Sequence, residues 1–226
     1  MRRAFKFVFG ALVIVVVGVG AFVAWYVFAD RAPGRPELSN TQTSSAGPTT
    51  TNGRWTVLAE PQSFVGYRIK ELFGDAVLKR DAVGRTNALT GTLTIAGGRV
   101  TAAVVTANLS KLDSGREARD AYARDNALET SKFPTARFTL SAPIALPAPT
   151  VKGRRVHAQA SGVLLLHGMT RPVTVTLDAR WTGPTIDVVG TAPILLRDYG
   201  IKAPDTPIAK VDDHGSFELD LEFVPG

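Results

Sequence analysis

The chain contains no cysteine. That absence removes disulfide frameworks, thiolate metal sites, iron–sulfur clusters and cysteine nucleophiles together. Histidine is scarce as well: His157, His167 and His214 are the three, and none has the i, i+4 or short-hairpin spacing of a metal site. Asp212-Asp213-His214 reads as a polar hairpin turn, so no metal or other cofactor is expected. No G-x-S-x-G elbow occurs, since Ser161-Gly162 precedes an apolar strand, and phosphate-cradling glycine motifs are missing too. What remains is ordinary in bulk: 226 residues, 45% hydrophobic and 20% charged, enough for one good-sized domain plus extensions.

The net charge of +6 is unevenly spread, with +4 in residues 1–54 and +2 in residues 55–226. A nucleic-acid face would gather Lys and Arg along one folded element with interleaved aromatics. Here the basicity sits in the head, so nucleic acid is not an expected partner.

Residues 1–6 carry Arg2, Arg3 and Lys6, and residues 7–29 contain no charge before Asp30. As a helix the apolar stretch is about 34 Å long, which suffices for a hydrocarbon core of ~30 Å. The expectation is a single-pass signal anchor with a cytoplasmic basic segment, an aromatic belt at Trp25 and Tyr26, and an extracytoplasmic remainder. The alternative is secretion after cleavage near Ala29, because Val27-Phe28-Ala29 resembles a small-residue cleavage site. Residues 30–53, rich in Pro, Ser and Thr, read as a disordered linker spanning roughly 27 Å.

Residues 54–226 read as one domain in which period-2 alternation dominates. Phe217, Leu219, Leu221 and Phe223 alternate with Ser216, Glu218, Asp220 and Glu222, which places one face in an apolar interior and the other in water. Val173, Val175, Leu177, Ala179 and Trp181 repeat the pattern, as do Leu89, Gly91, Leu93 and Ile95. Further strands are expected near 63–71, 99–109, 135–143, 155–167 and 185–197, with turns at Gly97-Gly98, Gly168 and Gly183-Pro184. The fold class is therefore all-β: a single antiparallel barrel of about eight strands, whose interior either is filled or holds one small ligand.

One segment departs from this pattern. Ser114-Gly115-Arg116-Glu117 matches a capping box, and Ala118, Ala121 and Tyr122 follow at helical spacing, predicting a short helix over residues 114–127. Arg116, Asp120 and Arg124 would line one solvated face. Arg119-Asp120 is open to two readings: ion pairs that pack the helix on the rim, or a cavity mouth in which Arg119 meets an acidic head group. Tyr67, Tyr122 and Tyr199 could share that rim.

The order of several motifs resembles the YceI-like family of lipocalin-like envelope barrels. These are Ser63-Phe64-Val65-Gly66-Tyr67, the stretch from Ser114 to Asp120 leading to Arg124 and Phe133-Pro134-Thr135, the run from Gly162 to Thr170 with Pro172-Val173, and Arg197-Asp198-Tyr199-Gly200-Ile201. Two departures stand out: Glu71 or a neighbour falls where the family often has a histidine at the end of the early strand, and the segment from Phe73 to Arg85, with Lys79, Arg80 and Asp81, is more charged than usual. The resemblance implies an interior that binds a long amphipathic lipid such as a polyisoprenoid or fatty amide, without catalysis. A ligand there would meet Phe64, Leu89, Leu93, Phe138, Leu164, Val175 and Leu177, with Arg119, Asp120 and Tyr122 at the mouth and Tyr67 beside them. The alternative function is a structural or interaction barrel of the envelope that binds no lipid.

Overall fold

The structure is a computed structural model that describes residues 32–39, 47–59, 61, 63–73, 78–205 and 209–226. The chain divides into two units, Met1–Pro33 and Gly34–Gly226, and every element below belongs to the second. The helix expected over residues 7–29 lies outside the described residues. Among the described residues no helix is long and apolar enough to cross a membrane.

Among the described residues eleven strands form: β1 (Gly53–Val57), β2 (Phe64–Phe73), β3 (Leu78–Thr86), β4 (Leu89–Ala96), β5 (Arg99–Asn108), β6 (Thr135–Leu140), β7 (Ile144–Ala145), β8 (Arg155–Leu166), β9 (Met169–Trp181), β10 (Ile186–Leu195) and β11 (Ala209–Pro225). Eight of them close a ring in the order β1-β4-β5-β6-β8-β9-β10-β11, because β1 pairs with both β4 and β11. Every pairing is antiparallel, and closure leaves the ring without an open edge. The other three strands lie off the ring. The hairpin β2–β3 is laid along β11, and the two-residue β7 pairs with β5.

Alternation sets the faces. Phe217, Leu219, Leu221 and Phe223 point into the apolar clusters, and Trp55 and Trp181 are buried with them. Each indole N–H is satisfied locally, Trp55 by the Thr51 carbonyl and Trp181 by the Gly183 carbonyl, both at 2.9 Å. The β8–β9 hairpin turns on His167 and Gly168 at φ +50° and +72°, the two-residue geometry that matches strand twist. His167 Nδ1 lies 2.9 Å from the Tyr199 carbonyl and Nε2 lies 3.1 Å from Glu129, which pins the turn as a structural histidine.

The helix is shorter and capped differently from the expectation. It runs as α1 (Glu117–Tyr122) and continues as one wider π-turn over Ala123–Ala127. Gly115 at φ +73° breaks the chain between Ser114 and the helix, so no Ser114–Glu117 box forms. Both carboxylate oxygens of Asp120 instead accept the Ser114 N–H at 3.1 Å, and Glu117 takes Arg124 at 2.7 Å. Asp212-Asp213-His214 is likewise not a hairpin turn. It falls at a register shift within β11, where Asp213 accepts from Arg197 at 2.8 Å and sits 3.0 Å from His214.

Residues 34–39, read from composition as linker, run as extended chain attached to the barrel's outer face. Arg85 donates to the Gly34 carbonyl at 2.7 Å, Arg35 approaches Glu218 at 3.7 Å, Arg180 donates to the Ser39 carbonyl, and Leu38 is 7% exposed.

Candidate ligand cavity

The barrel interior has two halves. At the end carrying α1 the core is solid: Leu109, Leu112, Leu164, Leu166, Tyr199 and Ile201 pack together, with Tyr67, Phe138 and Phe217 against them. At the opposite end lies a cavity of about 140 Å3. Its wall comes from eight strands, among them Leu93 and Ile95 of β4, Ala103 of β5, Phe138 and Leu140 of β6, Ile144 of β7, Val156, Ala158 and Ala160 of β8, Val175 and Leu177 of β9, Val188 of β10, and Leu219 and Leu221 of β11. Thr51, Thr150, Val151, Arg154 and Arg180 also border it.

The hollow exists because the inward side chains there are small. Along β8 they run Val156, Ala158, Ala160, Gly162, Leu164 and Leu166, so one strand passes from space to fill along its own length. Phe138 stands at the boundary: it lines the cavity, and a Cβ on Gly162 would meet its ring at 2.5 Å.

Of the residues named from sequence as ligand walls, Leu93, Phe138, Val175 and Leu177 lie on this cavity. Leu89 and Leu164 are buried but do not border it, Leu164 in the solid half. Phe64 faces outward, one position out of phase with Val65, and carries the Arg85 guanidinium 4.1 Å above its ring.

The expected mouth is at the other end of the barrel from the cavity. Arg119 is held by Glu71 through Nε at 2.9 Å and Nη2 at 3.1 Å, and Arg80 reaches the same carboxylate at 2.8 Å. The acid at position 71 is thus neutralised in part by the charged β3. Asp120 is buried as a cap, Tyr199 is buried in the core, and Tyr122 is 41% exposed. Tyr67 does approach Arg119, Asp120 and Glu71; burial pushes its phenol up to about 12, with Arg119 opposing and the two acids assisting. Of the two readings left open for Arg119-Asp120, the packing one describes these contacts.

Sequence reasoning missed the rim that does adjoin the cavity. Arg154 continues the inward series of β8 and borders the cavity, and Val151 beside it is 48% exposed. Lys152 lies 5.3 Å from the Trp181 ring. The signal was available in V-K-G-R-R, a basic turn with an exposed apolar residue placed immediately before the small-residue strand.

A closed antiparallel barrel with an apolar cavity and no acid among its described lining residues is, as a class, a lipocalin-like barrel. The YceI-like domain matches residues 55–223, and the chain belongs to that family. A UPF0312 protein of Pseudomonas aeruginosa strain LESB58 is 32% identical over 149 residues, 62% of this chain and 71% of its own. A UPF0312 protein of Pseudomonas paraeruginosa is 31% identical over the same span. Among solved structures, a polyisoprenoid binding domain from Saccharophagus degradans shares the fold with TM-score 0.60 at 20% identity, covering 76% of this chain and 98% of that one. BcnA of Burkholderia cenocepacia follows with TM-score 0.51 at 17% identity, covering 71% and 96%.

Proposed function

We propose that this protein is a membrane-anchored extracytoplasmic barrel that holds, and hands over, a long-chain amphipathic lipid of isoprenoid type. The observation that carries the reading is the apolar cavity at the end away from α1, walled by residues such as Leu93, Ala158 and Leu177. The polyisoprenoid binding described for the Saccharophagus domain supports an isoprenoid chain as the occupant. Holding rather than converting the ligand is supported by the lining itself, whose titratable members among the described residues are Arg154 and Arg180. The basic start of the chain and the uncharged residues 7–29 support the anchor, and chains recovered from membranes with residues 1–29 intact are the outcome it requires.

A volume of about 140 Å3 is close to that of apolar cavities, ~150 Å3, that admit a single benzene. The cavity therefore takes a short segment of chain as it stands, and a longer chain advances by swinging Phe138 away from Gly162. Burying hydrocarbon from water stabilises by about 0.8 kcal/mol per CH2, but a chain leaving a bilayer gains almost nothing, which suits a carrier better than a sink.

The test is titration of the full chain with farnesol, followed by tryptophan fluorescence, since Trp181 borders the cavity. Saturable binding is expected, weakened at least about tenfold in Ala158→Phe, whose melting temperature stays within about 3 °C of wild type. Absence of uptake by the wild type, or unchanged uptake by the variant, sinks the reading.

A further inference from the structure

Three segments at the cavity end of the barrel are not held alike. The stretch 146–154 is tied to the strands by backbone hydrogen bonds, the Leu146 N–H donating to the Gly98 carbonyl at 2.9 Å and the Gly153 N–H to the Trp181 carbonyl at 2.8 Å. The β9–β10 turn closes on itself, the Thr182 N–H donating to the Thr185 carbonyl at 2.9 Å with the two hydroxyls 2.7 Å apart. The third segment, residues 47–52, belongs to no strand, yet Thr51 borders the cavity at 8% exposure. Among the described residues its one hydrogen bond to the barrel is that accepted by the Thr51 carbonyl from the Trp55 indole; the Asn52 N–H turns back to the Thr50 hydroxyl at 3.2 Å. Its other end rests on the β9–β10 turn. Gly47, at φ +95°, lies so close that a Cβ there would stand 2.7 Å from both N and Cα of Pro184.

A cover secured by one hydrogen bond and one close contact opens at far lower cost than a paired strand. It is not free to drift away. Upstream, residues 34–39 are clamped to the outer face through Arg85, Glu218 and Arg180, and Arg180, which holds the Ser39 carbonyl, itself borders the cavity. Downstream, β1 begins at Gly53. A short segment tethered on both sides meets its seat at a high effective concentration and recloses after each opening. Its sequence, Gly-Pro-Thr-Thr-Thr-Asn, suits a piece that is at home in water as well as on the rim. Resting on the lipid reading above, we propose that residues 47–52 are a latch over the cavity mouth, which lifts from the Gly183-Pro184 turn to pass the lipid and closes behind it.

Because the chain has no cysteine, opening can be measured without a ligand. In the full chain Thr51→Cys, at a buried position, should react with iodoacetamide at least about tenfold more slowly than Thr49→Cys, at an exposed one. Adding Gly47→Val, whose side chain collides with the Pro184 backbone and disfavours φ +95°, should bring Thr51→Cys within about threefold of Thr49→Cys, with a melting temperature within about 3 °C of the parent. Gly47→Ala meets the same contact with a smaller group and repeats the test should valine unfold the barrel. Stopped-flow binding of farnesol to Gly47→Val alone should show entry and exit both at least about fivefold faster than in wild type, with Kd within about threefold, because a gate changes rates in both directions whereas a wall changes affinity. A labelling rate of Thr51→Cys that neither Gly47 variant alters overturns the latch, whatever the lipid result. Faster labelling with unchanged farnesol rates, or a weaker Kd through exit alone, also overturns it while the lipid reading stands; wild type that takes up no farnesol overturns both.

Discussion

Along β8 the inward side chains change from Ala158 and Ala160 to Leu164 and Leu166 within one strand, and the barrel changes with them from hollow to solid. At the solid end Glu71 alone engages Arg80 and Arg119, and Asp120 spends both oxygens on one N–H. Space at the hollow end marks a surface left available to something else. At the other end the filled interior marks a plug that keeps eight strands in register.

The largest effect expected from this contrast is on stability. Leu164→Ala removes a buried side chain from a filled region that cannot collapse, at a cost of about 3 kcal/mol. Leu177→Ala removes the same atoms from the wall of an existing cavity, where fewer neighbours lose contact, and should cost about 1 kcal/mol. Urea unfolding of the two variants measures the difference. Equal costs would mean that the two halves are packed alike.

A smaller effect separates the ends by function. Asp120→Ala frees the Ser114 N–H at the foot of α1 and should lower stability by about 1–2 kcal/mol, or roughly 3–6 °C. Farnesol affinity should not move, because the residue lies at the solid end. A variant that keeps its melting temperature and loses affinity would restore α1 as the mouth.

The period-2 pattern was enough to read the barrel class, the inward face of β11, the β8–β9 turn and four residues of the cavity wall. It misjudged Phe64 because alternation fixes two faces but not which is inside, and Val65 is the inward member. It misplaced the mouth because a helix with Arg119-Asp120 looks like a binding element until its charges find Glu71 and Ser114, partners 48 and 6 residues away. Strand β3 was hidden by its own charges: Lys79, Arg80 and Asp81 break the apolar pattern and are tolerated because Glu71, Arg68 and Lys70 meet two of them from β2. Residues 34–39 were hidden because backbone carbonyls, which sequence does not distinguish, make most of the attachment.

The smallest effect sharpens the comparison on a single strand. Glu218 and Asp220 are outward neighbours on β11, yet Glu218 is met by Arg68, Arg85 and Arg35 at 1% exposure, whereas Asp220 has no ion pair among the described residues. Burial, with Asp187 and Glu222 adding repulsion against the opposing Arg85, pushes Asp220 up to about 6. Its folded state therefore binds the proton more tightly than the unfolded chain, so this group's contribution is most favourable below about pH 4, is lost as pH rises from there to about 6, and stays lost above. Asp220→Asn should raise the melting temperature at pH 7.5 by up to about 2 °C, a modest gain because the carboxyl is only half buried and partly screened, and the gain should vanish near pH 4. Groups held below their usual range, such as Asp81 and Glu129, titrate at lower pH in both proteins and cancel in the difference. Superimposable melting profiles for the two proteins across pH 4–8 would show that the partnerless acid is as well solvated as an ordinary surface carboxylate.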